Sequence, residues 1–250
     1  MPAPYLQQLT LNIQKEMDRS RFPFSLPFLA DLLIRFDRPV TFFVGENGSG
    51  KSTLLEAIAD LAGLPISGGT ANELYAGHGP AEVSELAGYL RAGFMPRPKD
   101  AYFFRAELQA NFASLLDKRS QDPDFGGDPY SMYGGKSLHR QSHGEAFLSV
   151  IQNRFKKGLF LLDEPESALS PQRQLTLMAM MYQLTSKKKS QFIVATHSPT
   201  LLTFPGARIL SFDGTEIVPI DLQDTSHYQI TRGILENPEQ YWQHLRVEED

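Results

Sequence analysis

The chain has 250 residues, 41% of them hydrophobic and 21% charged, which suffices for one compact domain with a sizeable core. Its formal net charge of −5 argues against a surface that is basic throughout, as a general nucleic-acid binder needs, but leaves room for a local basic patch. With no cysteine, disulfides and thiolate metal sites are both excluded.

The N-terminal stretch MPAPYLQQLTLNIQKEMDR has no basic segment followed by a long apolar run, and the apolar runs over 158–162 and 40–44 are only of strand length. The expectation is a soluble, cytoplasmic protein with no direct membrane insertion. Residues 6–13 alternate as a strand does, while 21–28, aromatic and broken by prolines, reads as extended. An apolar run over 39–44 closes on glycine, the pattern of a buried parallel strand. Residues 52–61 then read as a helix with Leu54, Leu55, Ile58 and Leu61 on one face. From 63 to 136 the pattern is less regular, with glycine-rich turns, a short strand over 101–104, a helix over 107–116 and the loop SQDPDFGGDPYSMYGGK. We expect a helical subdomain over about 63–143, inserted in a single domain spanning 1–250. A helix over 144–156, a strand over 159–162, a helix over 171–185 with Pro171 in its first turn, and a buried strand over 191–195 follow. Strands over 208–212 and 216–220 flank the turn Asp213-Gly214 as a hairpin, and Ser226 with Gln229 reads as a capping box for a last helix. The alternation predicts an α/β fold: a mainly parallel sheet flanked by helices, with a small N-terminal antiparallel part.

Four short segments carry chemistry. GENGSGKST over 45–53 fits G-x-x-x-x-G-K-[ST] between a strand and a helix. Its glycines let backbone N–H groups along Asn47, Gly48, Ser49 and Gly50 turn inward as an anion nest, and the helix opening at Lys51, Ser52 and Thr53 adds its dipole. Lys51 then reaches β- and γ-phosphates and the Ser52 hydroxyl ligates Mg²⁺; an ordinary glycine turn does not ask for Lys-Ser at that offset. LFLLDEP over 159–165 delivers two adjacent carboxylates at a strand's C-terminal end. Asp163 would hold magnesium through its waters, and Glu164 would take a proton from an attacking water; in isolation the pair also reads as a solvated strand end. QSHGE over 141–145 is a simple N-cap, with Ser142 capping and Glu145 completing the box, and a capped helix N-terminus is also a phosphate site. In THSP over 196–199, His197 is either a satisfied structural residue or a polar link to the γ-phosphate or the attacking water.

In their order, GENGSGKST, SHGE, LLDEPE and ATHSP resemble the ABC-type ATPase family over roughly residues 6–212. The spacings fit as well, with Ser142 about twenty residues before Asp163 and Glu164 about thirty before His197. The resemblance implies a P-loop NTPase in which two heads pair head-to-tail around two ATP molecules. Ser142 and Gly144 would meet the γ-phosphate bound at Lys51 of the partner subunit, His197 would be the switch histidine, and 167–170 the D-loop. The chain departs from transporter ATPases in reading SHGE for LSGGQ, in having Ser170 where an aspartate is common, and in lacking a glutamine in FFRAE over 103–107, where Arg105 or Glu107 would substitute. An obvious adenine-stacking tyrosine is missing, with Tyr5, Phe22 and Phe24 as candidates. With these departures the chain is similar to soluble stand-alone ATPases grouped with SMC and RecF-type heads, although 107–142 is too short for a coiled-coil arm.

The expected function is ATP hydrolysis, with ATP and Mg²⁺ bound and catalysis carried by Lys51, Glu164 and His197 at a homodimer interface formed on ATP binding. That dimerisation would switch an unknown partner protein, a nuclease, toxin or DNA-repair factor. The alternative is the ATP-binding subunit of an ABC transporter; a non-hydrolysing scaffold and a small-molecule kinase fit the motifs less well. Nucleic-acid binding is left open and is not indicated by charge: the lysine run 187–189 reads first as a solvated, dipole-compensating helix C-terminus, and Arg91, Arg97 and Lys99 lack interleaved aromatics.

Overall fold

The computed structural model describes residues 3–71, 83–140 and 142–246. Part of the expected glycine-rich turn region, 72–82, and Gln141 of the third motif lie outside the described residues.

The strands are β1 (Leu6–Leu11), β2 (Leu33–Arg35), β3 (Val40–Val44), β4 (Leu90–Phe94), β5 (Ala101–Arg105), β6 (Gly158–Asp163), β7 (Ser190–Ala195), β8 (Arg208–Ser211) and β9 (Val218–Pro219). Among the described residues they form a three-stranded antiparallel sheet, β2-β1-β4, and a six-stranded sheet, β5-β6-β7-β3-β8-β9, parallel except for the β8–β9 pair. The helices are α1 (Lys51–Leu61), α2 (Gln109–Gln121), α3 (His143–Arg154), α4 (Pro171–Ser186), α5 (Pro199–Leu202), α6 (Ser226–Glu236) and α7 (Pro238–Leu245).

β3, β6 and β7 are buried at every position, as parallel strands covered on both faces must be. Alternate residues feed two cores. Phe43, Leu161, Ile193 and Leu210 pack with Leu54, Leu55 and Ile58 of α1 and with the antiparallel sheet. Phe42, Phe160, Leu162 and Val194 face Phe147 and Ile151 of α3 and Leu177 and Met181 of α4. Each fully buried side chain of this size stabilises by about 1.5–3 kcal/mol, so the central strands anchor everything attached to their ends. Gln191, fully buried at the start of β7, accepts from the N–H groups of Tyr5 and Leu6 and donates to the Leu6 carbonyl, joining the two sheets at the edge where the parallel strands begin.

Several expectations need correction. Residues 21–28 form turns leading into a 3₁₀ turn (Pro27–Leu29), because the prolines withhold ladder donors while Ser25 N bonds Arg21 O and Ala30 N bonds Pro27 O. Within 63–143 the strand expected over 101–104 is β5, while β4, which was not expected, joins the antiparallel sheet. The α6 cap is Thr225, whose Oγ1 accepts from Tyr228 N, one residue earlier than expected, and α7 follows α6. Among the described residues no helix is long and apolar enough to cross a membrane.

Candidate functional site

β3, β5, β6, β7 and β8 all end on one edge of the central sheet, and the loops leaving them meet there. From β3 the chain enters GENGSGKST. Gly48 and Gly50 have φ of +81° and +94°, values that cost a side chain strain. Gly50 is also the residue before α1, and a Cβ there would lie 2.8 Å from the Phe28 ring, so the loop is tightly seated on the 26–28 turn. No side chain caps α1, which leaves its first N–H groups directed at the loop's concavity. Lys51 is 4% exposed; its Nζ donates to the carbonyls of Gly45 at 2.7 Å and Glu46 at 2.9 Å. Burial pulls the Lys51 ammonium below the ordinary lysine pKa, against the opposing pull of Glu164 and Asp213. Asp213, read from sequence only as a turn residue, braces the loop by accepting from Glu46 N at 2.8 Å.

Ser52 Oγ lies 2.9 Å from Asp163 Oδ1. Asp163 is nearly fully buried, and that burial raises its pKa from 3.8 to about 6 even though Arg105 and Ser52 pull the other way. Arg105 pairs in register with Asp163 across β5 and β6, its Nε 3.6 Å from Oδ2. Its guanidinium also binds Glu56 of α1 at 2.6 Å, the Ile66 carbonyl at 3.1 Å, and Glu107. Of the two residues offered for the missing glutamine, Arg105 lies against Asp163 and Glu107 is its exposed counter-ion.

Glu164 is in the left-handed region, φ +47° and ψ +53°, which turns it away from the line of β6. The conformation is fixed by Glu164 N bonding to Ala195 O and by Ser167 N and Oγ bonding to Glu164 O. Glu164 Oε1 lies 3.6 Å from His197 Nε2. His197 donates its backbone N–H to Glu166 Oε1 at 2.5 Å, and its Nδ1 lies 2.9 Å from His227 Nε2. Burial, then Lys51, holds the His197 pKa below the usual histidine value, which favours the neutral ring, against the pull of Glu164. Glu166 and His227 were missed from sequence: the first looks like a helix-start acid, and the second is brought in only by tertiary packing of α6.

Ser142 and Gly144 stand apart from this cluster. Ser142 caps α3 in a complete capping box with Glu145, and Arg173 of α4 donates to Ser142 Oγ at 3.1 Å and pairs with Glu145 at 3.4 Å. A Cβ on Gly144 would meet Arg173 Nη1 at 2.5 Å and the Ala168 carbonyl at 2.9 Å, so only glycine lets α3 start this close to the 165–168 turn. Of the aromatic candidates for a base, Tyr5 is buried beside Gln191 and Lys189 at the opposite edge of the sheet, and Phe24 is buried against Tyr89; Phe22 alone is exposed. The first two are thereby removed as adenine contacts.

The donors fit a magnesium nucleotide. An uncapped helix start and inward-turned glycine loop suit phosphates, and a hydroxyl beside a buried carboxylate is the sparse oxygen set that Mg²⁺ takes when phosphates complete its shell. The mainly parallel sheet with the glycine loop between β3 and α1 is a P-loop NTPase fold. Two family models match parts of the chain: "AAA domain, putative AbiEii toxin, Type IV TA system" over residues 145–203, and "AAA domain" over residues 25–70. No curated protein matches the sequence. Among solved structures, the SMC head domain from Thermotoga maritima is 15% identical with a TM-score of 0.47, covering 87% of this chain and 100% of that one. CbiO1 from Clostridium perfringens, part of the ABC transporter complex CbiONQ, is 15% identical at TM-score 0.43, covering 84% and 88%. An ATP-binding cassette of an ABC transporter is 14% identical at TM-score 0.45, covering 95% and 97%.

Proposed function

We propose that this chain binds Mg-ATP at residues 45–53 and hydrolyses it within a head-to-tail pair of copies, using the cycle to switch a partner protein. The observation that carries the reading is the meeting, on one sheet edge, of Lys51, the Ser52–Asp163 pair and the Glu164–His197 pair. Lys51 now holds two neutral carbonyls; exchanging them for phosphate oxygens gives charge-assisted bonds about twice as strong. Bound magnesium would supply charge neutralisation of the phosphates, with Ser52 and Asp163 holding it. Glu164, turned away from the line of β6, takes the proton of a water aligned on the γ-phosphate. His197 fixes that water or the γ-phosphate by a hydrogen bond from its ring.

Ser142 and Gly144, held at the start of α3 by contacts within their own chain, complete the site of the opposite copy in this reading, and Arg173 stands beside them. One matching family is described as a putative AbiEii toxin of a type IV toxin–antitoxin system, and the partner classes in this reading are a toxin, a nuclease or a DNA-repair factor.

The test is phosphate release by purified protein with ATP and Mg²⁺, compared with Lys51→Ala. Release by the parent and none by the variant, with ATP binding strongly weakened, is the expected result. Equal release by both overturns the assignment of the loop. A pull-down with Glu164→Gln protein and ATP then identifies the partner class, and retention of an integral membrane protein would replace the switch by the transporter reading.

A further inference from the structure

His197 and His227 form a half-buried pair whose geometry limits where its protons sit. His197 Nδ1 and His227 Nε2 are 2.9 Å apart and the ring centroids 5.0 Å apart, so one hydrogen lies between the two nitrogens. The outer nitrogens, His197 Nε2 and His227 Nδ1, are buried and have no hydrogen-bond partner among the described residues. A neutral imidazole has one N–H, so the direction of the shared bond decides what His197 presents at its other nitrogen.

Were His197 the donor, its Nε2 would present a lone pair towards Glu164 Oε1, 3.6 Å away, setting two acceptors face to face. With His227 as donor, Nε2 of His197 carries the hydrogen and offers it to the edge where Glu164 and Lys51 converge. The second arrangement removes the clash of acceptors at Glu164 and leaves only the His227 Nδ1 lone pair without a partner among the described residues.

We propose that His227 is a positioning residue for ATP hydrolysis: by donating from Nε2 to Nδ1 of His197, it holds His197 in the tautomer that directs an N–H at the reacting edge. The inference rests on the ATPase reading for its consequence, but not for its geometry. It makes α6 part of the machinery of the site. His227 lies in the first turn of α6, whose start is fixed by the Thr225 cap and by packing on α5, the helix that begins two residues after His197. A residue outside all four sequence motifs thus sets the hydrogen-bonding role of one inside them.

Two measurements decide it. The first is the ¹⁵N spectrum of the histidine rings in nucleotide-free protein. The parent should show His197 as the Nε2–H tautomer, and His227→Leu should lose that single form. A parent in the Nδ1–H form, or an unchanged Nε2–H signal in His227→Leu, overturns the proposal. The second is steady-state ATP hydrolysis. His227→Leu should lower kcat by about three- to tenfold, the worth of one net hydrogen bond, with KM for ATP changed by less than about twofold. His227→Gln, whose amide can donate in place of the ring, should recover kcat to within about twofold of the parent. Undiminished kcat in His227→Leu, or a glutamine variant as slow as the leucine one, defeats it. If the parent releases no phosphate, the ATPase reading fails, while the ring spectrum still decides the tautomer.

Discussion

Ser52 Oγ, in the first turn of α1, donates a 2.9 Å hydrogen bond to Oδ1 of Asp163 at the end of β6. The bond brings the helix that follows the glycine loop and the neighbouring carboxylate strand to one point. It also gives Asp163 a neutral partner that does not cancel the cost of burying its charge.

That cost has a measurable sign. The native state raises the Asp163 pKa from 3.8 to about 6, so it binds the proton more tightly than the unfolded chain. The resulting stabilisation is fully present below the unfolded value and is lost as pH rises through the native one. Asp163→Asn has no such proton. In metal-free solution, the stability of the parent relative to this variant should fall by up to about 3 kcal/mol between about pH 4 and pH 7. Denaturant titrations at several pH values measure it, and parallel curves would contradict the burial argument.

Glu164→Gln separates binding from chemistry. The amide keeps the shape and a hydrogen bond to water but accepts no proton. Turnover should drop by about two to four orders of magnitude with little change in ATP affinity. Phosphate release beside isothermal titration checks both halves. A variant that hydrolyses at the parent rate would place the base elsewhere.

Arg105 is the cation shared by Glu56 and Asp163. Arg105→Ala leaves two largely buried carboxylates uncompensated and should destabilise by about 3 kcal/mol. Because burial already raises the Glu56 pKa and Arg105 opposes that rise, adding Glu56→Gln should return part of the loss. A double-mutant cycle with a coupling above about 0.5 kcal/mol is expected, and strict additivity would mean that the pair is electrostatically idle.

Ser142 tests assembly. In the Glu164→Gln background, ATP with Mg²⁺ should move the protein from monomer to dimer in light scattering. Adding Ser142→Ala should cost about 1 kcal/mol of stability through the lost cap and abolish the dimer while ATP affinity stays the same. Undiminished dimer in the double variant would remove Ser142 from the interface.

The parts legible in sequence are those in which local pattern and tertiary role agree. β3, β6 and β7 are continuous apolar runs because both faces are covered, and the glycine loop has one residue order that suits its backbone. β4 was not legible: LRAGF contains a glycine that pairs with Gln8 on a strand far earlier in the chain. The turn at 21–28 was misread because an aromatic run broken by prolines also suits extended backbone, whereas here Phe24, Leu26 and Phe28 are buried from successive turns. Arg105 was marked for its place in the motif order, but its three carboxylate partners come from α1, β6 and the turn after β5. His227 had no local signal, since its meaning lies wholly in where α6 returns.

With Glu164 as the proposed base, its left-handed backbone would set heat resistance and turnover in opposition. Holding an ordinary side chain there costs about 1–2 kcal/mol, which asparagine largely avoids without glycine's entropic penalty. A library selected only for survival on heating should therefore collect asparagine at 164 and lose its base, whereas one selected for catalysis should restore glutamate. Sequencing the two pools would expose the conflict at a single codon.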